Sequence, residues 1–316
     1  MKVLITGQAG MIGFHLAQQL SRNGNEVRGI DNYNEYYEVG LKHSRSEILQ
    51  QNYIHTDVAD LRDINWDAYF KTVYKPDVVV HLAAYANPRH SMGSPYDYID
   101  TNITGTQRLI DACERNGIDK VVYASSSCVM HGQPLPWNEH DRPSHQNNPY
   151  GWSKRANECQ FKHSSLTRTI GLRFFTVYGP YGRPDMALFL FTKGIIDQTP
   201  IIAFNNGEMY RVFTYVDDIV NGIEIVVDKI DSDTNGYHDI YNIGYGQKVN
   251  LMDFIHEIEE NVGKKAIIDN RPSHPADVPA TWSDTTKLKA LGYNPQFPVS
   301  EGIKRFVKWY RSYYGV

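Results

Sequence analysis

Cysteine is scarce in this 316-residue chain. There are three, Cys113, Cys128 and Cys159, widely spaced and with no CxxC pair. That excludes a disulfide framework and a cysteine-based zinc site, and it suits a reducing compartment. Long apolar runs are missing too: none approaches the roughly 18 residues a membrane helix needs. The N-terminal MKVLITGQAG carries a lysine and a short apolar stretch, but glycines interrupt it before a signal-peptide core could form. It is expected to be the first strand of the fold. Charge of one sign is also lacking, since 32 Lys and Arg against 36 Asp and Glu give a net charge of -4. Nucleic acid and anionic membranes therefore have no electrostatic basis as partners. The expected location is the cytoplasm, where the sequon Asn102-Ile103-Thr104 is a chance match, because glycosylation requires secretion.

What is present is an ordinary globular composition arranged in a repeating order. Short apolar runs end or begin at KVLITG (2–7), EVRGID (26–31), NYIHTD (52–57), DVVVHLA (77–83), KVVYASS (120–126) and RTIGLRF (168–174). Amphipathic stretches such as MIGFHLAQQLSRNG separate them. Strands rich in β-branched residues that alternate with helices predict a parallel sheet covered on both faces, a doubly wound Rossmann-type α/β fold. Beyond about residue 175 glycine, proline and asparagine become frequent. We therefore expect a dinucleotide-binding domain over 1–175, with segments near 212–245 returning to it, and a smaller α/β substrate domain over most of 176–316. The C-terminal GIKRFVKWYRSYYG reads as an amphipathic helix packed on the body.

Gly7-Gln8-Ala9-Gly10-Met11-Ile12-Gly13 follows a strand and opens a helix, the context in which a glycine motif implies a dinucleotide. The first glycine permits the tight turn, the second lets backbone approach a pyrophosphate, and the third allows close helix–strand packing. The spacing is GxxGxxG, not GxGxxG. Asp31 ends the second strand, where an acid binds ribose hydroxyls and repels a 2′-phosphate, favouring NAD over NADP. Asp57 ends the third strand and is a candidate for the adenine side, as it is for a simple turn former.

Tyr150-Gly151-Trp152-Ser153-Lys154 places a tyrosine and a lysine on one helix face. A phenol with a reference pKa near 10 is a poor base at neutral pH, and a neighbouring ammonium together with a positive nicotinamide ring would bring it toward the working range. Ser127 closes a strand upstream, at the edge where parallel sheets bind ligands. His140 and His145 lie in a polar loop with no metal constellation around them.

With these pieces the chain resembles the extended short-chain dehydrogenase/reductase superfamily. The resemblance rests on residues 7–13, HLAAYA (81–86), SSS (125–127), YGWSK (150–154) and YNIG (241–244). More narrowly, GLRFFTVYGPYGRPDMALFLF (171–191), RVFTYVDDIVNGI (211–223) and ADVPATWSDTTKLKALGY (276–293) look like UDP-glucuronate 4-epimerases. The resemblance implies a cofactor site of Gly7, Gly10, Met11, Ile12, Gly13, Asp31, Asp57, Val58, Ala83, Tyr150 and Lys154 for NAD. It implies Ser127, Tyr150 and Lys154 as the catalytic residues, and Thr176, Arg183, Arg211 and Asp277 as the substrate site for a nucleotide sugar. Related dehydratases carry Thr-Asp-Glu at the serine strand end and decarboxylases a glutamate; here Cys128 and Val129 follow Ser127, which leaves epimerisation. The family also implies a homodimer formed through helices near 100–115 and 150–163. Departures from its pattern are Met130, His131, Trp152, Val212 and His274, and they bear on which sugar is bound. A 4-epimerase of a neutral or N-acetylated hexose, a dehydrogenase or reductase that releases its cofactor, and a non-catalytic NAD-binding regulator are the alternatives.

Overall fold

The structure is a computed structural model that describes residues 1–141, 143 and 145–316. Its centre is a sheet of seven parallel strands: β1 (Lys2–Thr6), β2 (Glu26–Asp31), β3 (His55–Val58), β4 (Val78–His81), β5 (Lys120–Ser126), β6 (Arg168–Phe174) and a seventh, Tyr237–Ile243. In space the order is seventh–β6–β5–β4–β1–β2–β3. The chain winds outward from β1 to β3, then crosses back to place β4 on the other side of β1. The carboxyl ends of β1 and β4 therefore flank the point where the winding reverses, the usual ligand crevice of such sheets.

The central strands β1 and β4 are apolar because both their faces are covered. Val3, Leu4, Ile5, Val78, Val79 and Val80 have no exposed surface. Successive residues point to opposite faces. Val3, Ile5, Val78 and Val80 join one core with Phe14, Leu16 and Val226, under the helices Met11–Arg22 and Val216–Ser232. Leu4 and Val79 join a second with Leu109, Ile110, Cys113 and Phe161, under the helices Thr106–Asn116 and Pro149–His163.

After residue 175 the chain forms short strand pairs instead of a second large sheet. Thr176–Tyr178 pairs in parallel with Phe213–Tyr215, Tyr210–Arg211 antiparallel with Val249–Asn250, and Ile201–Phe204 in parallel with Ile268–Arg271. The segment between these pairs returns to the main sheet, where Tyr237–Ile243 lies along the whole of β6. The first core continues without a break into this region through Phe189, Phe254, Ile258, Ile303 and Phe306. The helix Val299–Tyr314 buries Ile303, Phe306, Val307 and Tyr310, a stripe at helical spacing, and so docks on the body. No helix among the described residues is long and apolar enough to cross a membrane. Asn102 of the sequon is fully buried; its carboxamide accepts from Tyr85 N and donates to Tyr85 O, both at 2.9 Å.

Candidate active site

A cleft of about 820 Å³ opens at the carboxyl ends of the sheet strands, between the sheet and the segments after residue 175. One wall is the glycine turn. Gly7 adopts φ +75°, and a Cβ there would lie 2.8 Å from Ala83 N. At Gly13 a Cβ would meet Gly7 O at 2.4 Å. A side chain at either position would force the turn to shift, and Gly7, Gly10, Met11, Ile12 and Gly13 line the cleft at the start of a helix, with Ala83 beside them. Backbone N–H groups and the positive end of a helix make this a fitting cradle for a pyrophosphate. Beneath it, buried His81 bridges Thr6 Oγ1 (2.7 Å) and Thr106 Oγ1 (2.9 Å), tying β1 and β4 to the next helix. Burial pushes its pKa down to about 3, so it is neutral.

Asp31 closes the cradle. Its carboxylate accepts from Ala9 N at 3.0 Å and Tyr33 N at 2.9 Å. Burial raises its pKa, against the opposing pull of those bonds and of Lys42. Lys42, which the sequence reading passed over, donates to Asn34 O and Asn34 Oδ1 at 2.6 and 2.8 Å in the same wall. Asp57 is placed differently. Arg28 holds it through two bonds of 2.6 and 2.8 Å, Tyr69 donates a third at 2.7 Å, and Val58 is 77% exposed. The cleft wall beside them is Ala59, Asp60 and Leu61.

Ser127, Tyr150 and Lys154 all face the cleft. The helix that carries the last two is started by Pro149 and capped by Asn148 Oδ1, which accepts from Gly151 N at 2.8 Å. Tyr150 and Lys154 then follow one turn apart. Burial pushes the Tyr150 phenol up to about 12, aided by Cys128 and opposed by a hydrogen bond with the Ser126 hydroxyl and by Arg183. Lys154 donates to Ala124 O at 3.0 Å, its own pKa pushed down to about 7 by burial. One turn further, Glu158 is locked in a buried ion pair: Oε1 accepts from Arg173 Nε (2.8 Å) and Ser125 Oγ (2.7 Å), and Oε2 from Arg173 Nη2 (3.1 Å). This pair pins the helix to β5 and β6.

Three arginines line the far end. Arg183 pairs with Asp185, and Thr176 stands in the same wall. Arg211 donates only to the carbonyls of Tyr210 (2.9 Å) and Pro279 (3.3 Å) and has no carboxylate partner among the described residues. Its cationic form is disfavoured by burial and supported by Asp277. Asp277 itself is taken by Arg89 at 2.7 and 3.3 Å, and the Arg89 guanidinium lies 3.9 Å from the Phe204 ring centre. Arg89 was not foreseen, because nothing local in the sequence marks it.

None of the five departures lies in the cleft wall. Met130 and Val212 are fully buried with Val129, Trp137 and Phe175 in a small apolar cluster. His131 faces His145 with ring centres 5.5 Å apart, and His274 Nδ1 accepts from Ala276 N at 3.1 Å. Among the described residues no group of three His, Cys, Asp or Glu is placed to hold a metal ion.

A family model described as NAD dependent epimerase/dehydratase matches residues 3–244. The chain belongs to that family. It is 39% identical to Protein CapI of Staphylococcus aureus, over 99% of each chain. It is 36% identical to the UDP-glucuronate 4-epimerase of Thermodesulfobacterium geofontis, over 97% of this chain and 95% of that one. Its fold superimposes on the UDP-glucuronic acid 4-epimerase of Bacillus cereus, solved with UDP-glucuronic acid and NAD. The TM-score is 0.92 at 31% identity, over 99% of this chain and all of that one. The glycine cradle and the Ser127–Tyr150–Lys154 group thus lie in an NAD dependent epimerase/dehydratase.

Proposed function

We propose that this protein interconverts UDP-glucuronate and UDP-galacturonate by inverting C4. The observation that carries the reading is one cleft that holds Ser127, Tyr150 and Lys154 together with an arginine, Arg183, while Cys128, Val129 and Met130, none of them a carboxylate, follow Ser127. Without an acid there, the carboxylate pair that works the elimination of water in related dehydratases is missing. A uronate needs a cation to hold its carboxylate, and Arg183 with Thr176 is suited to that by chemistry and place.

In this reading NAD, when bound, supplies reversible two-electron oxidation at C4. Gly7, Gly10, Met11, Ile12, Gly13 and Ala83 shape its cradle, Asp31 takes the adenosine ribose, and Asp57 and Val58 border the adenine end. Tyr150 Oη accepts the proton of the 4-hydroxyl and later returns it, and Ser127 Oγ hydrogen-bonds the same oxygen. Lys154 holds the nicotinamide ribose, and the positive charge of that ring draws down the phenol's pKa, which burial alone raises. Arg211 and Asp277 bind the nucleotide diphosphate and its neighbouring ribose, so the sugar can turn over while tethered. Arg183 keeps the carboxylate out of the geometry in which a β-keto acid loses CO₂. The sheet half serves the cofactor and the later segments the sugar nucleotide. Three unpaired cysteines suit the cytoplasm. The resemblance to the family gives the helices near 100–115 and 150–163 as the homodimer face of this reading.

One observation favours a second substrate: the Arg183–Asp185 pair is locally neutral, as a site for a neutral hexose would be. Arg183→Ala separates the two. It lowers turnover of UDP-glucuronate at least about tenfold and leaves UDP-glucose unaffected if the uronate reading holds; equal effects on both sugars overturn it.

A further inference from the structure

Asp185 occupies much of Arg183's hydrogen-bonding capacity. Its Oδ1 accepts from Nε at 3.0 Å and its Oδ2 from Nη2 at 2.6 Å, while Ala86 O accepts from Nη1 at 2.8 Å. A guanidinium has five N–H groups, so one remains on each terminal nitrogen, enough for a two-point grip on a carboxylate. The Asp185 carboxylate is itself fixed. Its Oδ2 also accepts from Tyr36 Oη at 3.0 Å and Asn87 Nδ2 at 2.8 Å, and the ion pair is about four-fifths buried. A permanent negative charge therefore stands beside the position a sugar carboxylate would take.

We infer that Asp185 is a fixed counter-charge that weakens Arg183's hold on the sugar carboxylate, so that the oxidised sugar can turn over between its two half-reactions. The inference rests on the uronate reading above. An epimerase has to present both faces of one ring to one cofactor, so a carboxylate gripped at full strength in the starting pose opposes the rotation. Binding the ground state more tightly than the turning state lowers kcat. Asp185 supplies like-charge repulsion against that grip, and its bonds to Tyr36 and Asn87 keep it from swinging away. It is a positioning and specificity residue that need not touch the reacting atoms.

The test compares wild type with Asp185→Asn and Asp185→Ala, using calorimetric binding of UDP-glucuronate, UDP-glucose and UDP together with steady-state kcat and KM. UDP-glucuronate is expected to bind about three- to tenfold more tightly in both variants, with kcat lower by a similar factor. UDP-glucose and UDP should change by less than about twofold, since the lost repulsion concerns only a carboxylate. Weaker uronate binding, or equal changes for uronate and glucose, overturns the inference and leaves Asp185 as a structural support. Should melting curves reveal misfolded variants, Tyr36→Phe serves instead. It removes one donor from Asp185, strengthens the pull of Asp185 on Arg183, and is expected to weaken uronate binding alone; unchanged or tighter uronate binding overturns the inference. A wild type that neither binds nor converts UDP-glucuronate removes the uronate reading itself, and this inference with it.

Discussion

Lys154 donates to the carbonyl of Ala124, 3.0 Å away, just before Ser125 and Ser126 end β5 and Ser127 follows. Two consequences follow. The ammonium is anchored to the strand that leads into Ser127, which ties the tyrosine's helix to the serine segment. Burial has also moved its pKa from 10.5 to about 7.

That shift has a stability signature. Below about pH 7 the lysine is charged in both folded and unfolded chains, and the cost of burying the charge is felt in full. Between about 7 and 10.5 the unfolded chain binds the extra proton, so stability rises with pH across this window. Lys154→Met should therefore be the more stable protein at pH 7, by roughly 3–5 kcal/mol as an upper bound. The advantage should shrink toward pH 10. Urea melts of both proteins at several pH values check this; a pH-independent difference would contradict it.

The Glu158–Arg173 pair is expected to be costly to break and inexpensive to replace. Removing one partner strands a buried charge, so Glu158→Gln should cost about 3–5 kcal/mol. The double variant Glu158→Leu with Arg173→Met should recover much of that loss. Chemical denaturation of Glu158→Leu, Arg173→Met and the double measures the coupling, and additive losses would argue against a buried pair.

Gly13→Ala tests the cradle. Its Cβ would lie 2.4 Å from Gly7 O, so the turn has to shift. Overpacking of this kind costs about 1–3 kcal/mol, which leaves a folded protein with a spoiled cofactor site. The expected result is a normal circular dichroism spectrum with little NAD released on denaturation.

Arg211 has no carboxylate partner among the described residues, and its loss should weaken every UDP-linked ligand alike. A charge-assisted bond contributes about 1.5–3 kcal/mol, so Arg211→Ala should raise the Kd of UDP-glucuronate, UDP-glucose and UDP by roughly 10- to 100-fold. This uniform loss contrasts with the carboxylate-selective loss expected for Arg183→Ala. Calorimetry with the three ligands distinguishes them.

What the sequence made legible was local. The glycine turn, the apolar strands, Tyr150 with Lys154 on one helix face and Ser127 at a strand end all follow from spacing over a few residues. What it hid depends on contacts between distant segments. Arg89 and Asp277 meet across 188 positions, and no pattern links them. Asp57 reads as a strand-end acid, and its ties to Arg28 on the adjacent strand and to Tyr69 leave no mark in the sequence. Val212 and Met130 read as departures near the site because sequence adjacency stands in for proximity. In space they fill an apolar cluster behind the wall. Burial of the Tyr150 phenol, which raises its pKa, is likewise set by the whole fold.

The most direct test of the central claim uses UDP-glucuronate carrying deuterium at C4, incubated with the purified protein and followed by NMR. Transient oxidation at C4 with return of the same hydrogen predicts UDP-galacturonate that keeps its deuterium at C4, with no accumulation of NADH or CO₂. Loss of the label to solvent would contradict the oxidation–reduction route, and an unchanged spectrum would contradict the assignment of a uronate substrate.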